Sequence, residues 1–322
     1  MRWIELKARL LEAGSARITG LPLEGRTERS KAGPSAGSSG SVFFSHEGRR
    51  VRLGIDPASP VELVHLGSGR AELHIDGETL EGRIEEVGLH CPRQAFVTVS
   101  EGCIFRCRYC PVPSQPPRVK SPEEVVKMVE GVIDRIDAIS LTSGVVGSVD
   151  EDEARVLEVV KRLGRFGLPI GVSIYPGPHT PDRLYEAGVD EVKFNLETAT
   201  PDIFAVMCPG LDWHGIREAL VRSVTLFGRN HVFSNVILGL GETDEEMEGC
   251  IEDLTAMGVI PVIRPLNPVA GCRDFPRPDA SRMLRIFSSL DDALTRARLD
   301  PREAKTMCVA CTGCDLVPGR DA

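Results

Sequence analysis

The apolar positions along the chain change their spacing near residue 90. Before that point Ile4, Leu6, Leu10 and Leu11 form an amphipathic stretch within residues 1–28. Short strand-like runs follow at Ser41–Ser45, Val51–Ile55, Val61–Leu66, Ala71–Ile75 and Gly82–Val87. Turn residues such as His46-Glu47-Gly48 and Asp76-Gly77 separate them, which predicts strands joined by tight turns. The segment 29–41, RSKAGPSAGSSGS, reads as a loop. Residues 1–89 are therefore expected to form a small β-rich accessory domain.

From about Pro92 short apolar strands alternate with helical segments, the pattern of parallel βα units. Strands are predicted at Ala95–Val99, Ala138–Thr142, Ile170–Ile174, Glu191–Asn195, Val232–Gly239 and Val259–Pro265. Ser121-Pro122-Glu123-Glu124 predicts a capping box with proline at the first helical position. Val125, Val129, Val132, Ile133 and Ile136 would supply the buried face of that helix. Thr243 and Glu246 predict a second capping box, ahead of Met247, Cys250, Ile251 and Leu254 at helical spacing, and a last helix is expected over about Asp279–Arg298. Six such units give an α/β fold, a partial (βα)6 barrel over residues 90–300, with its chemistry at the C-terminal ends of the strands. Residues 301–322 read as an irregular, cysteine-rich tail.

Composition narrows the class. Apolar residues at 42% allow a full core, and 26% charged residues exclude a membrane protein or a disordered chain. No apolar run is long enough to span a bilayer, and the N-terminus has no signal-peptide pattern. The net charge of −9, the absence of a basic stripe, and only three Tyr and two Trp argue against nucleic acid. A cytoplasmic enzyme is the expectation. Ten cysteines in such a chain point to metal or redox chemistry rather than disulfides. Six lie in two clusters, Cys103/Cys107/Cys110 and Cys308/Cys311/Cys314; Cys91, Cys208, Cys250 and Cys272 are single.

Cys103, Cys107 and Cys110 have C-x₃-C-x₂-C spacing just after the first barrel strand. Three thiolates can hold three irons of a cubane and leave the fourth open, whereas a closed cluster takes four cysteines. A structural zinc site lacking its fourth ligand is the competing reading. This pattern resembles the signature of the radical S-adenosylmethionine (SAM) superfamily, and the resemblance runs over roughly residues 92–300. It implies a [4Fe–4S] cluster on these cysteines, with SAM bound at its open iron. Tyr109, the aromatic before the third cysteine, would pack near adenine. Thr142, Ser143 and Gly144 stand where the family has a Gly-Gly-Glu-like turn that binds the SAM amino group. Asn195 and Glu197, in Asn195-Leu196-Glu197-Thr198, are similar to the ribose-contacting Asn-Leu-Asp-Thr run of biotin synthase. Gly239-Leu240-Gly241-Glu242 resembles that group's fifth-strand motif, whose glycines (here Gly239 and Gly241) let adenine approach the backbone.

The resemblance breaks at the barrel cysteines that hold a second cluster in biotin synthase. Those positions here carry Ser140, Gly171 or Val172, and Phe233. The tail cysteines Cys308, Cys311 and Cys314, spaced C-x₂-C-x₂-C, offer a substitute: an auxiliary [4Fe–4S] cluster, with structural zinc as the alternative. Cys272, just beyond the sixth strand, is the first candidate to complete that site and Cys208 the second. Cys250 reads as core, and Cys91 has no clear role. Arg264 ends the sixth strand as a carboxylate clamp or a structural ion pair. Residues 32–40 lack a phosphate-loop lysine and read as a linker or a substrate lid.

The resemblance to the biotin/lipoyl synthase group implies reductive cleavage of SAM to a 5′-deoxyadenosyl radical that attacks an unactivated C–H bond. Sulfur insertion in cofactor biosynthesis is the leading expectation. A carbon-skeleton or ring-forming step with the tail cluster as relay stays open, as does a non-catalytic metallocluster carrier. The implied partners are a small-molecule or carrier-bound substrate and an electron donor such as ferredoxin or flavodoxin, with no nucleic acid and no membrane.

Overall fold

The structure, a computed structural model, describes residues 2–31 and 39–321. Most of the segment read as a linker or lid lies outside the described residues. Helix α1 (Trp3–Ala13) ends at Gly14, whose φ of 67° suits a residue without Cβ. It is buried on nearly all sides because it is packed against both the N-terminal strands and the last barrel helix.

Strands β1 (Ser15–Gly20), β2 (Ser41–His46), β3 (Arg49–Ile55), β4 (Glu62–Gly67), β5 (Arg70–Ile75) and β6 (Glu78–Ile84) close into a barrel in the order β1-β3-β2-β6-β5-β4. Closure leaves no free edge. Val42, Phe44, Val51, Leu53, Leu63, Leu73 and Ile84 fill its interior, all fully buried; each such side chain contributes roughly 1.5–3 kcal/mol. β6 begins earlier than the hydrophobic pattern suggests. Asp76 and Gly77 both take positive φ, 48° and 81°, a two-residue hairpin turn that pairs Ile75 directly with Glu78. The strand's first residues face solvent and are polar, so no alternation marks them.

Beyond the hairpin β7 (His90–Cys91) and β8 (Gln94–Thr98) a parallel sheet curls through β11 (Ala138–Thr142), β12 (Ile170–Ser173), β13 (Glu191–Lys193), β14 (Val232–Leu238) and β15 (Ile260–Pro265). A small ribbon, β9 (Ser100–Glu101) with β10 (Arg118–Val119), interrupts the first unit. Helices α2 (Pro122–Glu130), α3 (Val149–Leu163), α4 (Thr180–Glu186), α5 (Pro201–Met207), α6 (Trp213–Phe227), α7 (Asp244–Met257) and α8 (Ala280–Ala297) complete an α/β partial (βα)6 barrel. Thr243 and Glu246 form the full capping box of α7. At α2 only half forms: Ser121 accepts from the Glu124 amide, and Glu124 pairs with Arg118 instead of reaching back. α2 also stops at Glu130 before Gly131, so Val132, Ile133 and Ile136 lie beyond it, in a 3-10 turn and its flanks.

The tail is not irregular throughout. It runs inside the curl and forms a short helix, α9 (Met307–Cys311). Glu191, fully buried at the start of β13, accepts from the Lys305 and Thr306 amides at 2.9 and 2.8 Å and from the Thr306 hydroxyl at 2.6 Å. Ser140 accepts from the Met307 amide at 2.9 Å, and Gln94 donates to the Met307 carbonyl at 3.1 Å. A Cβ at position 171 would stand 2.0 Å from the Thr306 hydroxyl, so Gly171 makes the room. Positions 140 and 171, where the resemblance places cluster thiols, thus hold tail backbone and deliver Cys308 upward. At the far end Asp321 ties the tail to α1. It pairs with Lys7 at 2.7 Å, both side chains being at most 1% exposed, and accepts from the Trp3 indole at 3.1 Å.

Candidate active site

One cavity of about 1020 Å³ opens between the strand ends of the partial barrel and the N-terminal barrel. Cys103, Cys107 and Cys110 line it, on the loop that follows β9. The loop is pinned from beneath. Asp152, near the start of α3, accepts from the Ser100 hydroxyl at 2.7 Å and the Val146 amide at 2.6 Å. Gly144 packs so close to the loop that a Cβ there would lie 1.9 Å from the Gly102 carbonyl oxygen. Thr142 and Ser143 line the cavity beside it, and the Ser143 hydroxyl accepts from the Ser100 amide at 3.1 Å. The turn that ends β11 therefore lines the cavity while its Gly144 amide, bonded to the Ser100 carbonyl at 3.0 Å, helps lock the cysteine loop in place.

Asn195 and Glu197 line the same cavity from the end of β13. Asn195 donates to Glu197 at 3.0 Å and accepts from the Asn235 amide at 3.2 Å, which fixes both side chains. Glu197 holds φ at 63°, and burial pushes its carboxyl up against the opposing pull of the Asn195 hydrogen bond and Lys193. Tyr109 is buried behind the loop, its hydroxyl 3.9 Å from Cys208 Sγ. Burial pushes the Cys103 thiol up and Cys110 up to about 12, whereas a hydrogen bond from Cys208 draws Cys107 down. Cys208 does not line the cavity. It sits at the first cysteine set, away from the tail. Three thiols on one loop, all lining the cavity, fit a cubane that keeps one iron free.

Gly239 and Gly241 are placed differently from their expected role. Neither lines the cavity. Their positive φ values, 111° and 109°, build the turn from β14 into α7, and Glu242 takes the Gly239 and Leu240 amides at 2.6 and 2.8 Å. Arg282 completes that closed network at 3.0 Å from Glu242. Glu242 thus already takes the Gly239 and Leu240 amides.

Cys308 and Cys314 line the cavity opposite the first cysteines. Lys193 donates to Cys308 Sγ at 3.4 Å, and Arg52, reaching over from β3, lies against Cys314. Arg264, at the end of β15, stands 3.6 Å from the buried Asp315, and among the described residues neither that carboxylate nor Arg264 Nε has a hydrogen-bond partner. Cys272 is not brought to this set. It is buried in a short turn whose Gly271 amide bonds the Arg108 carbonyl at 2.7 Å, so it belongs to the wall behind the first loop. Cys91 is the single cysteine that lies beside the tail: it packs with Cys311, Phe43 and Val87. The Cys91–Cys311 hydrogen bond draws the Cys311 thiol down to about 7 and, with burial, pushes Cys91 up. Lys193, Arg52 and Cys91 were not singled out from the sequence; no local pattern links them to the tail.

The wall between the two barrels carries an acid-sensitive contact. Burial alone would raise the Glu28 carboxyl, but the His90 hydrogen bond at 3.0 Å, Arg52 and the Ser41 hydroxyl at 2.6 Å outweigh it and hold it at about 2. Burial keeps His90 below its usual value, so at neutral pH it is a neutral donor. A carboxyl depressed on folding contributes stability that is present above its unfolded value and lost as pH falls through its folded value. The expected loss is about 3 kcal/mol between pH 5 and pH 2. Urea midpoints along that range test it: Glu28→Gln should show a shallower acid slope than wild type, and equal slopes would refute the assignment.

Residues 97–254 match the family model described as the Radical SAM superfamily. The chain carries a radical SAM domain. It is similar to lipoyl synthases: 27% identical to that of Micrococcus luteus over 216 residues, 59% of this chain and 63% of that protein. It is also 27% identical to that of Leptospira interrogans over 219 residues, 62% and 70% of the two chains. The chain thus spans less than two thirds of the first of these relatives. Solved structures share the radical SAM fold. A radical SAM methyltransferase from Sphaerobacter thermophilus aligns at TM-score 0.55 and 19% identity, covering 74% of this chain and 76% of that one. The hydrogenase maturase HydG from Carboxydothermus hydrogenoformans aligns at 0.51 and 18%, covering 63% and 51%. No helix among the described residues is long and apolar enough to cross a membrane.

Proposed function

We propose that this protein is a radical SAM enzyme that inserts sulfur at an unactivated C–H bond of a small or carrier-bound substrate. The observation that carries the reading is that Cys103, Cys107 and Cys110 share one cavity with Cys308 and Cys314 from the far end of the chain. A [4Fe–4S] cluster with SAM supplies, when bound, the electron that cleaves the sulfonium and yields a 5′-deoxyadenosyl radical. Cys103, Cys107 and Cys110 would hold that cluster. Thr142, Ser143 and Gly144 would border the SAM amino group, and Asn195 and Glu197, held by their own hydrogen bonds, would orient its ribose. The tail cysteines would hold the sulfide that is given up. Lys193, Arg264 and Arg277 line the space between and suit an anionic substrate. The similarity to lipoyl synthases supports sulfur transfer as the outcome. An external one-electron reductant, such as ferredoxin or flavodoxin, is required by the electron balance.

The test is an anaerobic reaction of the reconstituted protein with SAM and strong reductant. 5′-Deoxyadenosine should form, and iron and sulfide per chain should fall after one turnover with the true substrate. A verified cubane that yields no deoxyadenosine, even with substrate present, overturns the enzymatic reading in favour of a cluster carrier. Deoxyadenosine formed with the tail cluster intact after turnover favours a relay in a carbon-skeleton or ring-forming reaction.

A further inference from the structure

Cys91 belongs to neither cysteine motif, yet the fold carries it to the tail. It ends the two-residue strand β7, where the chain passes from the N-terminal barrel into the curled sheet. Its side chain lies against Cys311 in a buried cluster with Phe43 and Val87, and it is 1% exposed. Cys308 and Cys314 stand near enough for their charges to act on it. We propose that Cys91, Cys308, Cys311 and Cys314 form a four-thiolate site for a second [4Fe–4S] cluster, with Cys91 supplying the ligand from outside the tail. This rests on the reading of the tail as a cluster-binding segment and names its missing ligand.

Local geometry explains how the tail presents its three thiols. Cys308 and Cys311 are three residues apart on α9 and so share one face. Thr312 then takes φ 58°, a left-handed turn that reverses the chain and returns Cys314 to the same side. The following Gly313 passes so close to Phe43 that a Cβ would lie 2.6 Å from the ring, and its carbonyl accepts from the Arg52 amide at 2.7 Å. The tail is thereby seated against the β2–β3 wall of the N-terminal barrel, next to Cys91.

Charge points the same way. Four thiolates around an oxidised [4Fe–4S] core leave a net negative site, and such a site is stabilised by buried cations and hydrogen bonds to sulfur. Lys193 donates to Cys308, Arg52 lies against Cys314, Arg264 faces the set from β15, and Arg50 reaches the Cys311 carbonyl at 3.4 Å. Among the described residues no three His, Cys, Asp or Glu side chains converge on the point that a single ion would occupy. A cubane instead places each of its four sulfur ligands on a separate iron. Cys272 lacks these neighbours; the charge that acts on it is Arg108.

The experiment uses the full chain with Cys103, Cys107 and Cys110 all changed to Ala, so that only the tail site can load. After anaerobic reconstitution it should keep about four iron and four sulfide per chain. Adding Cys91→Ala should remove at least about one iron, seen as a three-iron paramagnetic signal or as loss of the cluster. Adding Cys272→Ala instead should change nothing. An unaltered four-iron spectrum with Cys91→Ala overturns the assignment. Mössbauer spectra of the protein with Cys91 intact give a readout that does not depend on the folding of that variant. Iron sites that all show tetrahedral sulfur coordination support the proposal, and one site with the signature of an oxygen or nitrogen ligand refutes it. A triple variant that binds no iron refutes the tail-cluster reading itself, a result distinct from failure of Cys91 alone.

Discussion

Cys103→Ala protein, reconstituted with iron and sulfide, is expected to release at least ~10³-fold less 5′-deoxyadenosine than wild type, a barrier increase of at least about 4 kcal/mol. The loop offers three thiols to the cavity, and each would hold one iron. Loss of one leaves two thiolates and an unstable core. Position 103 is the cleanest choice because no spare thiol borders it. Cys107 has Cys208 within hydrogen-bonding reach, and a replacement ligand there would blunt the effect. Iron content and charge-transfer absorption should fall together with activity. A Cys103→Ala protein that keeps its full iron and its wild-type rate would remove this loop from the chemistry. Residual activity in Cys107→Ala that disappears in Cys107→Ala/Cys208→Ala would mark Cys208 as the stand-in.

The second large effect concerns stability. Asp321→Ala should destabilise the fold by ~3–5 kcal/mol, because it strips a buried ammonium of its counter-charge. Lys7 is fully buried, and its other partner is the Thr312 carbonyl. Asp321 also accepts from the Trp3 indole and from the Val317 amide at 2.8 Å, so three donors lose their acceptor at once. The melting temperature should drop by roughly 5–15 °C. The double change Lys7→Met/Asp321→Leu should recover most of the loss, since it removes both charges together. A single variant that melts within about 2 °C of wild type would show that the pair carries little of the tail's attachment.

The repeating strands of the curled sheet were legible because each is an apolar run bounded by a turn, and Ala138–Thr142 is bounded alike in sequence and structure. The same holds for α7, whose capping box and apolar spacing agree. Legibility failed where long-range packing decides. Ser15–Gly20 has little alternation and becomes a strand because it pairs with both β3 and β4 and closes the barrel. The tail reads as irregular because its helix has five residues and is held by Glu191, Ser140 and Gln94, far away in sequence. The glycines after β14 match a cofactor motif by spacing, but whether the backbone there is free depends on Glu242, which turns back to take the Gly239 and Leu240 amides. For the cysteines the first set is local and was visible at once. The association of Cys91 with the tail was not, since a strand's worth of neighbours says nothing about a partner that arrives at the other end of the chain.

Gln94 and Met307, which meet beside the second cysteine set, are 213 positions apart. Cys103, Cys107 and Cys110, by contrast, share one loop. Contacts of such different range do not cost the same to form, because closing a longer loop takes more chain entropy. Under the proposed assignment the two sets of thiols would differ in what their inorganic cargo demands: one a short stretch in shape, the other the docking of elements from distant parts of the chain. Occupancy of the tail set would then be in effect a receipt for completed assembly.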